Sequence, residues 1–346
     1  MIRNDHRTPG PGEPSPGSTS IPELTRIITI DPQLQRILHL LPVYARVELP
    51  VLILGEPGTG KELIAEAIWS LSLRGERPLV KINCAALTET LAGSELFGHV
   101  RGSFTDARHN RAGKFKMAHK GTLFLDEVGD LPASVQPRLL RAVEQGEIEP
   151  VGGDVPLRVD VRLVAASNQS LTQLITRGRF RQDLYDRLGV LLIHLPPLKE
   201  RRSDILLLAH HFAKKAAQTQ GKAAVKITKG AARRLLEYPW PGNVRELKNV
   251  ITRAVLLATG PKIWEEDLHF TPSGSIPEES AEPASRVEVL PPRPTRGSLE
   301  DLLFEEKGNI SALSRRLKVC TKTIYRWLRN YQINLEAIRS RLGFSS

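Results

Sequence analysis

From about Ile21 to Pro197, short apolar runs alternate with stretches whose apolar residues recur at helical spacing. Four runs read as buried strands: Val51–Leu54, Leu79–Ile82, Thr122–Leu125 and Val161–Ala165. Each ends at a polar or glycine-containing turn, with helical periodicity in between, which predicts a mostly parallel α/β sheet. Leu63, Ile64, Ala67, Ile68 and Leu71 make one helical face after the first run. From Lys199 to about His269 the pattern is helical, with Ile205, Leu208, Ala209 and Phe212 at i, i+3, i+4, i+7. Pro239-Trp240-Pro241-Gly242 interrupts it, and a new helix is expected from about Asn243. Near the end, Ser298–Glu306, Asn309–Leu317 and Thr321–Asn330 read as three short helices around Ile310, Leu313, Leu317, Val319, Ile324, Trp327 and Leu328. Residues 8–20 and 271–297 are rich in Pro, Ser, Gly or Glu and read as a disordered segment and a linker. The expected organisation is a disordered start over 1–22, an α/β core over 23–198, a helical lid over 199–270, the linker, and a small all-α domain over 298–346.

Charge sharpens this picture. The chain of 346 residues carries +11, and from Asn309 onward eight Lys/Arg face one Glu, so this tail supplies +7 of it. Such concentration favours a polyanion, nucleic acid above all, as its partner. Two cysteines, Cys84 and Cys320, are too few for a disulfide framework or a four-ligand zinc site and read as reduced thiols of a cytoplasmic protein. No apolar stretch approaches the ~20 residues that span a bilayer. The start lacks the apolar core of a signal peptide.

The chemistry begins at Gly55-Glu56-Pro57-Gly58-Thr59-Gly60-Lys61-Glu62. The loop follows an apolar strand and precedes an amphipathic helix, the setting a phosphate-binding loop requires. Glycines let backbone N–H groups turn toward phosphate oxygens, and the helix N-terminus adds partial positive charge. Lys61 would reach the β- and γ-phosphates of ATP. Position 62 is Glu, where the general pattern has a Mg²⁺-binding Ser or Thr. Downstream, Thr122–Leu125 ends in Asp126-Glu127. Asp126 is expected to hold Mg²⁺, and Glu127 to polarise the attacking water. Two further strands end near Asn83 and at Ser167-Asn168, so four polar termini should converge on one edge, where ligands sit in such sheets.

Together with Ile82–Leu87, Ser94–His99, Gly121–Glu127, Phe180–Leu188 and Trp240–Leu247, these residues closely resemble the AAA+ domain of bacterial enhancer-binding proteins, the sigma-54-dependent activators. Glu at position 62 is usual in that family. The resemblance implies that Asn83 is a switch residue holding Glu127 and that Asn168 is the first sensor. It makes Arg181 and Arg187 arginine fingers for a neighbouring subunit, and Arg245 the second sensor on the lid. The loop that contacts sigma-54 corresponds to Gly102-Ser103-Phe104-Thr105-Asp106-Ala107, with Ser103 and Asp106 where the family has Ala and Gly. The tail resembles a Fis-type helix-turn-helix that binds DNA as a dimer. Thr321 is its expected N-cap; Thr321, Lys322, Thr323 and Arg326 are expected to face bases and phosphates, and Arg315, Arg316 and Arg329 phosphates.

The family's usual N-terminal sensor does not fit in the residues before the core, so control would come from a partner in trans, from expression level, or not at all. Three functions stay open. One is an activator that binds upstream DNA, forms a ring, expected to be a hexamer, and remodels the sigma-54 polymerase holoenzyme. The second is the same ATPase with another client, because Asp106 alters the loop. The third is a DNA-bound repressor in which ATP only sets assembly.

Overall fold

In Val51–Leu54 (β1), Leu52 faces one side of the sheet and Val51 and Ile53 the other, and all three are buried. A strand buried on both faces belongs inside a sheet covered by helices on either side. The computed structural model describes residues 26–103, 109–222, 225–258, 260–270, 294–306, 308–317, 319, 321–335 and 338. It places β1 in a five-stranded sheet with β2 (Leu79–Asn83), β3 (Thr122–Asp126), β4 (Arg162–Ser167) and β5 (Leu191–His194). The order is β2-β3-β4-β1-β5, every pairing is parallel, and the carboxyl ends share one edge.

The four expected strands are present. β5 is an addition: it pairs with β1, Val51 opposite Leu191. Its run begins just past the helix Gln182–Leu188 and its C-cap Gly189. β4 opens on Arg162, which is nearly fully buried. The Arg162 Nη2 group donates to Tyr44 O at 2.6 Å and Nη1 to Ala45 O. These carbonyls belong to the last turn of α1 (Pro32–Arg46), so the guanidinium caps that helix. Burial pulls its pKa below the ordinary arginine value.

Helices cover both faces. Leu41 of α1 and Ile64 and Ile68 of α2 (Lys61–Ser70) pack on Ile53, Phe124 and Val164. On the other face, Leu52, Leu123 and Leu163 meet α3 (Glu89–Phe97), α4 (Gln136–Gln145), α5 (Leu171–Thr176) and α6 (Gln182–Leu188). The lid comprises α7 (Arg202–Thr219), α8 (Lys229–Glu237) and α9 (Asn243–Leu257), joined around Ile205, Leu235, Trp240, Leu247 and Ile251. Core and lid form one compact unit, ending at Ser273.

A separate unit holds α10 (Arg296–Glu305), α11 (Ile310–Leu317) and α12 (Thr321–Asn330), closed over Leu299, Leu303, Leu313, Ile324 and Trp327. The three expected helices are there, with ends shifted by their caps. Thr295 caps α10, whose first residue is Arg296, ahead of Ser298. Asn309 lies outside α11 and caps it, accepting from Ser311 N and Ala312 N at 3.0 and 3.1 Å. Thr321 is the first residue of α12 itself. Among the described residues, no helix is long and apolar enough to cross a membrane.

Candidate functional site

The loop between β1 and α2 is built by left-handed backbone at Gly58 (φ +78°) and Gly60 (φ +105°). A side chain is disfavoured at either angle, and a Cβ on Gly58 would also lie 2.4 Å from Gly242 O of the lid. Gly55 N donates to Ser167 O at 3.2 Å, and Thr59 Oγ1 to Glu56 O at 2.8 Å, which fixes the loop on β4 and on itself. Lys61 is buried, and its ammonium donates to Gly55 O at 2.9 Å. Glu62 sits on the rim, its carboxylate 2.8 Å from Lys81 Nζ of β2.

Asp126 ends β3 beside this loop, and Glu127 follows in left-handed backbone at φ +53°, a conformation non-glycine residues rarely take and one concentrated at functional sites. One Glu127 oxygen lies 3.7 Å from Lys61 Nζ; the other accepts from Asn168 N at 3.0 Å. Half-burial raises the pKa of both carboxyls, against the lowering effect of Lys61 on each. The same carboxylates, with burial as the larger cause, push the thiol of Cys84 up to about 12, which leaves it an inert core residue.

The lid closes over the loop. Val244 N donates to Gly58 O at 3.1 Å, and Arg201 Nη2 to Thr59 O at 3.4 Å. Asn243, fully buried at φ +52°, donates to Glu56 Oε2 at 3.0 Å and Pro57 O at 3.1 Å and accepts from Leu198 N at 2.6 Å. Asp204, also fully buried, accepts from Thr29 Oγ1 at 2.7 Å and Ile30 N at 2.7 Å, which straps the segment before α1 to the lid. It also accepts from Asp31 N at 3.1 Å, and the Arg201 guanidinium lies 3.9 Å away. Asn243, Arg201 and Asp204 were not singled out from sequence: a polar residue beside a helix reads as solvent-facing, and only the buried contacts show otherwise.

Between loop, carboxylates and lid lies a cleft of about 610 Å³. Lys61, Arg245, Lys215, Lys248 and Arg26 line it against Glu62, Asp126 and Glu127, so cations outnumber anions, as a polyphosphate site needs. An apolar recess lined by Ile28, Leu63 and Leu208 adjoins it.

Other expected residues lie elsewhere. Asn83 is opposite Asp126 in register, but its side chain accepts from Ala85 N at 2.9 Å; the Asn168 main chain and Lys61, not Asn83, engage Glu127. Asn168 engages Glu127 through its backbone N–H. Arg181 and Arg187 are exposed on α6 and its N-cap and do not line the cleft. The Arg181 guanidinium pairs with Asp183 at 2.6 Å, which lowers the Asp183 pKa. Gly102 is left-handed at φ +84° above a two-residue antiparallel stem, Gly98-His99 with Arg111-Ala112, and the Ser103 hydroxyl is buried. Phe104, Thr105, Asp106 and Ala107 lie outside the described residues, as do the side chains of Lys322, Arg326 and Arg329. Arg315 is exposed on α11; Arg316 pairs with Glu305 at 2.7 Å and Glu306 at 2.9 Å.

Comparison with known proteins agrees with this geometry. Residues 27–194 match the Sigma-54 interaction domain, and residues 199–284 the AAA+ ATPase lid domain. The anaerobic nitric oxide reductase transcription regulator NorR of Aeromonas hydrophila is 42% identical over 330 residues, covering 90% of this chain and 64% of the relative. NorR of Salmonella enteritidis is 43% identical over 325 residues, with 90% and 64% covered. The chain therefore spans just under two thirds of the length of these relatives. Crystal structures of NtrX from Brucella abortus superpose with a TM-score of 0.66 in complex with ADP, at 29% identity, covering 90% of this chain and 70% of that one. A further NtrX structure gives a TM-score of 0.63 at 30% identity, with the same coverage. Loop, carboxylate pair, lid and these likenesses together place the chain in the sigma-54 enhancer-binding family, as an AAA+ ATPase domain with its lid.

Proposed function

We propose that this chain hydrolyses ATP to activate sigma-54-dependent transcription: it binds upstream DNA, assembles into a ring, and remodels the polymerase holoenzyme through the loop at Gly102–Ala107. The observation that carries the reading is the convergence of Lys61, Asp126-Glu127 and Arg245 on one cationic cleft inside a Sigma-54 interaction domain. The base of ATP fits the recess at Ile28, Leu63 and Leu208. The phosphates fit the backbone N–H groups of Gly58–Lys61 and the α2 N-terminus. Lys61 then exchanges Gly55 O and Glu127 for phosphate oxygens, and Glu127, released, takes the proton of the attacking water. Asp126 suits Mg²⁺: it is a half-buried carboxylate, its Oδ1 accepts from Glu127 N at 3.1 Å, and Mg²⁺ sites commonly use one or two carboxylates plus substrate phosphates. The ion would neutralise charge on the phosphates. NtrX has been crystallised with ATP and with ADP, which supports the same nucleotides here.

Arg181 and Arg187, exposed and away from the subunit's own cleft, suit a role at a neighbour's site, where an arginine stabilises charge on the transferring phosphate. Arg245 completes the site from the lid. On the DNA side, α12 would read the major groove with Thr321, Lys322, Thr323 and Arg326, while Arg315 and Arg329 neutralise phosphates; Arg316 would first have to leave Glu305 and Glu306.

The test measures open-complex formation on a sigma-54 promoter with ATP, beside ATPase rate against protein concentration. ATPase that rises with assembly and yields open complex supports the reading, and Thr105→Ala should then abolish open complex while sparing hydrolysis. ATPase without open complex favours the second reading, a different client, which Ser103 and Asp106 motivate. No hydrolysis at any concentration refutes both.

A further inference from the structure

Gln136 is the first residue of α4 and is fully buried. Its amide bonds to the adjoining turn and to one distant stretch of backbone. The Nε2 group donates to Leu131 O at 3.1 Å and to Arg179 O at 2.9 Å; Oε1 accepts from Arg181 N at 2.9 Å. Both N–H donors of the amide are used. Leu131 closes the short turn that opens at Glu127, and Gln169 holds that turn to the end of β4 through Asp130 Oδ1. Arg181 is the N-cap of α6, and the described partner of its side chain is the nearby Asp183. The guanidinium is turned to that carboxylate, while Gln136 and the buried Phe180 hold the backbone from which the side chain starts.

A buried amide that merely tolerated its surroundings could find partners within its own turn. Gln136 instead spans 43 and 45 residues to bond the arginine-bearing segment on both sides. A fully satisfied buried network of this kind fixes geometry, and losing it leaves Leu131 O, Arg179 O and Arg181 N without their partner.

We propose that Gln136 is the positioning residue for Arg181: it locks the stem of that arginine to the turn that carries Glu127, so the group offered to a neighbouring subunit is held on the same frame as the subunit's own carboxylates. This rests on the proposed action of Arg181 at a neighbour's site, and the experiment separates the two.

The experiment uses the full chain and mixed rings. Gln136→Met keeps the volume and removes all three bonds. Alone, it should bind ATP within about 2-fold of wild type yet turn over about 100-fold more slowly, the penalty of a misplaced catalytic group. It is then mixed in equal amounts with Glu127→Gln, which cannot hydrolyse but keeps Gln136 and Arg181. Gln136→Met subunits retain a complete site of their own, and a Glu127→Gln neighbour supplies a well-placed arginine. Turnover of the mixture should therefore exceed either variant alone by about 10-fold. Arg181→Ala mixed with Glu127→Gln is the reference and should recover likewise. Recovery with Arg181→Ala but not with Gln136→Met would show that Gln136 serves its own site and would overturn the inference. No recovery in either mixture would remove the trans-acting arginine, and the inference with it. Wild-type turnover of Gln136→Met alone would also overturn it. Gln136→Asn keeps an uncharged amide but ends one methylene short of Arg179 O and Arg181 N; it goes through the same mixtures, so a poorly folding Met variant does not end the test.

Discussion

Replacing Asn243 tests how the lid is held to the phosphate loop. Its side chain joins three groups: Leu198 N, Pro57 O and the Glu56 carboxylate. Leu198 is fully buried, so truncation leaves its N–H without acceptor or water. One unsatisfied buried donor costs about 1–3 kcal/mol, and Pro57 O adds a fraction of that; Glu56 is part exposed and turns to solvent. The backbone adds a separate effect. At φ +52° Asn is tolerated, Gly is unstrained, and Ala loses about 1 kcal/mol. Asn243→Gly should therefore destabilise by about 2–3 kcal/mol and Asn243→Ala by about 3–4 kcal/mol. That order reverses the ordinary helix preference, in which Ala is better than Gly by about 1 kcal/mol. Urea unfolding followed by tryptophan fluorescence measures it, because Trp240 is buried in the lid three residues away. ATP affinity should fall in both variants as Val244 N loses its hold on Gly58 O. An Ala variant as stable as the Gly variant would refute the backbone part. A Gly variant within about 0.5 kcal/mol of wild type would refute the clasp itself.

Four further outcomes concern the carboxylates, the strap and the C-terminal unit. Burial holds the Glu127 carboxyl above its ordinary range, so the folded state binds its proton more readily than the unfolded chain; nucleotide-free stability should decline as pH rises from the ordinary glutamate range through the raised value, and Glu127→Gln should reduce that decline. Because the base must be ionised, the acid limb of the pH–rate profile should lie above the ordinary glutamate value, and a limb at or below it contradicts the assignment. Asp204→Ala leaves buried Arg201 with Asp31 as its remaining countercharge and strips the acceptor from Thr29, Ile30 N and Asp31 N; it should cost about 3–5 kcal/mol in urea unfolding, and wild-type stability would show the strap to be idle. In DNA binding against salt, Arg315→Ala should reduce the log–log slope by about 1 and Arg316→Ala by less, since Arg316 already has Glu305 and Glu306; equal losses would contradict the local pairing.

Much of the fold was legible because each buried strand is a short apolar run that stops at a polar terminus. Val51–Leu54 and Thr122–Leu125 could be placed by that signal, and with them the phosphate loop and Asp126-Glu127. The fifth strand, Leu191–His194, was not among the expected runs: the short apolar run that opens it, just after a short helix, carries no period that separates strand from helix. Helix ends in the second unit moved by a residue or two, since Thr295 and Asn309 act as caps where composition alone offered several polar residues. The amides and ions that hold the site were the least legible. Gln136, Asn243 and Asp204 look like any polar residue near a helix end, and their meaning comes from partners tens to hundreds of positions away. Asn83 shows the reverse case, a residue whose resemblance-based partner is held by other groups here.

Gly58 carries two constraints at once. Its left-handed backbone shapes the phosphate loop, and the carbonyl of Gly242 occupies the space a side chain would need. Selection on the second constraint does not depend on nucleotide. A descendant that lost hydrolysis but kept its lid docked would keep Gly58, so this glycine would survive in the sequence as a fossil of packing. Decay of the site should show first at Lys61 and Glu127, whose bonds run to Gly55, to Asn168 and to one another and not to the lid. In a diverged relative, those two positions, and not Gly58, would distinguish a working ATPase from a retained scaffold.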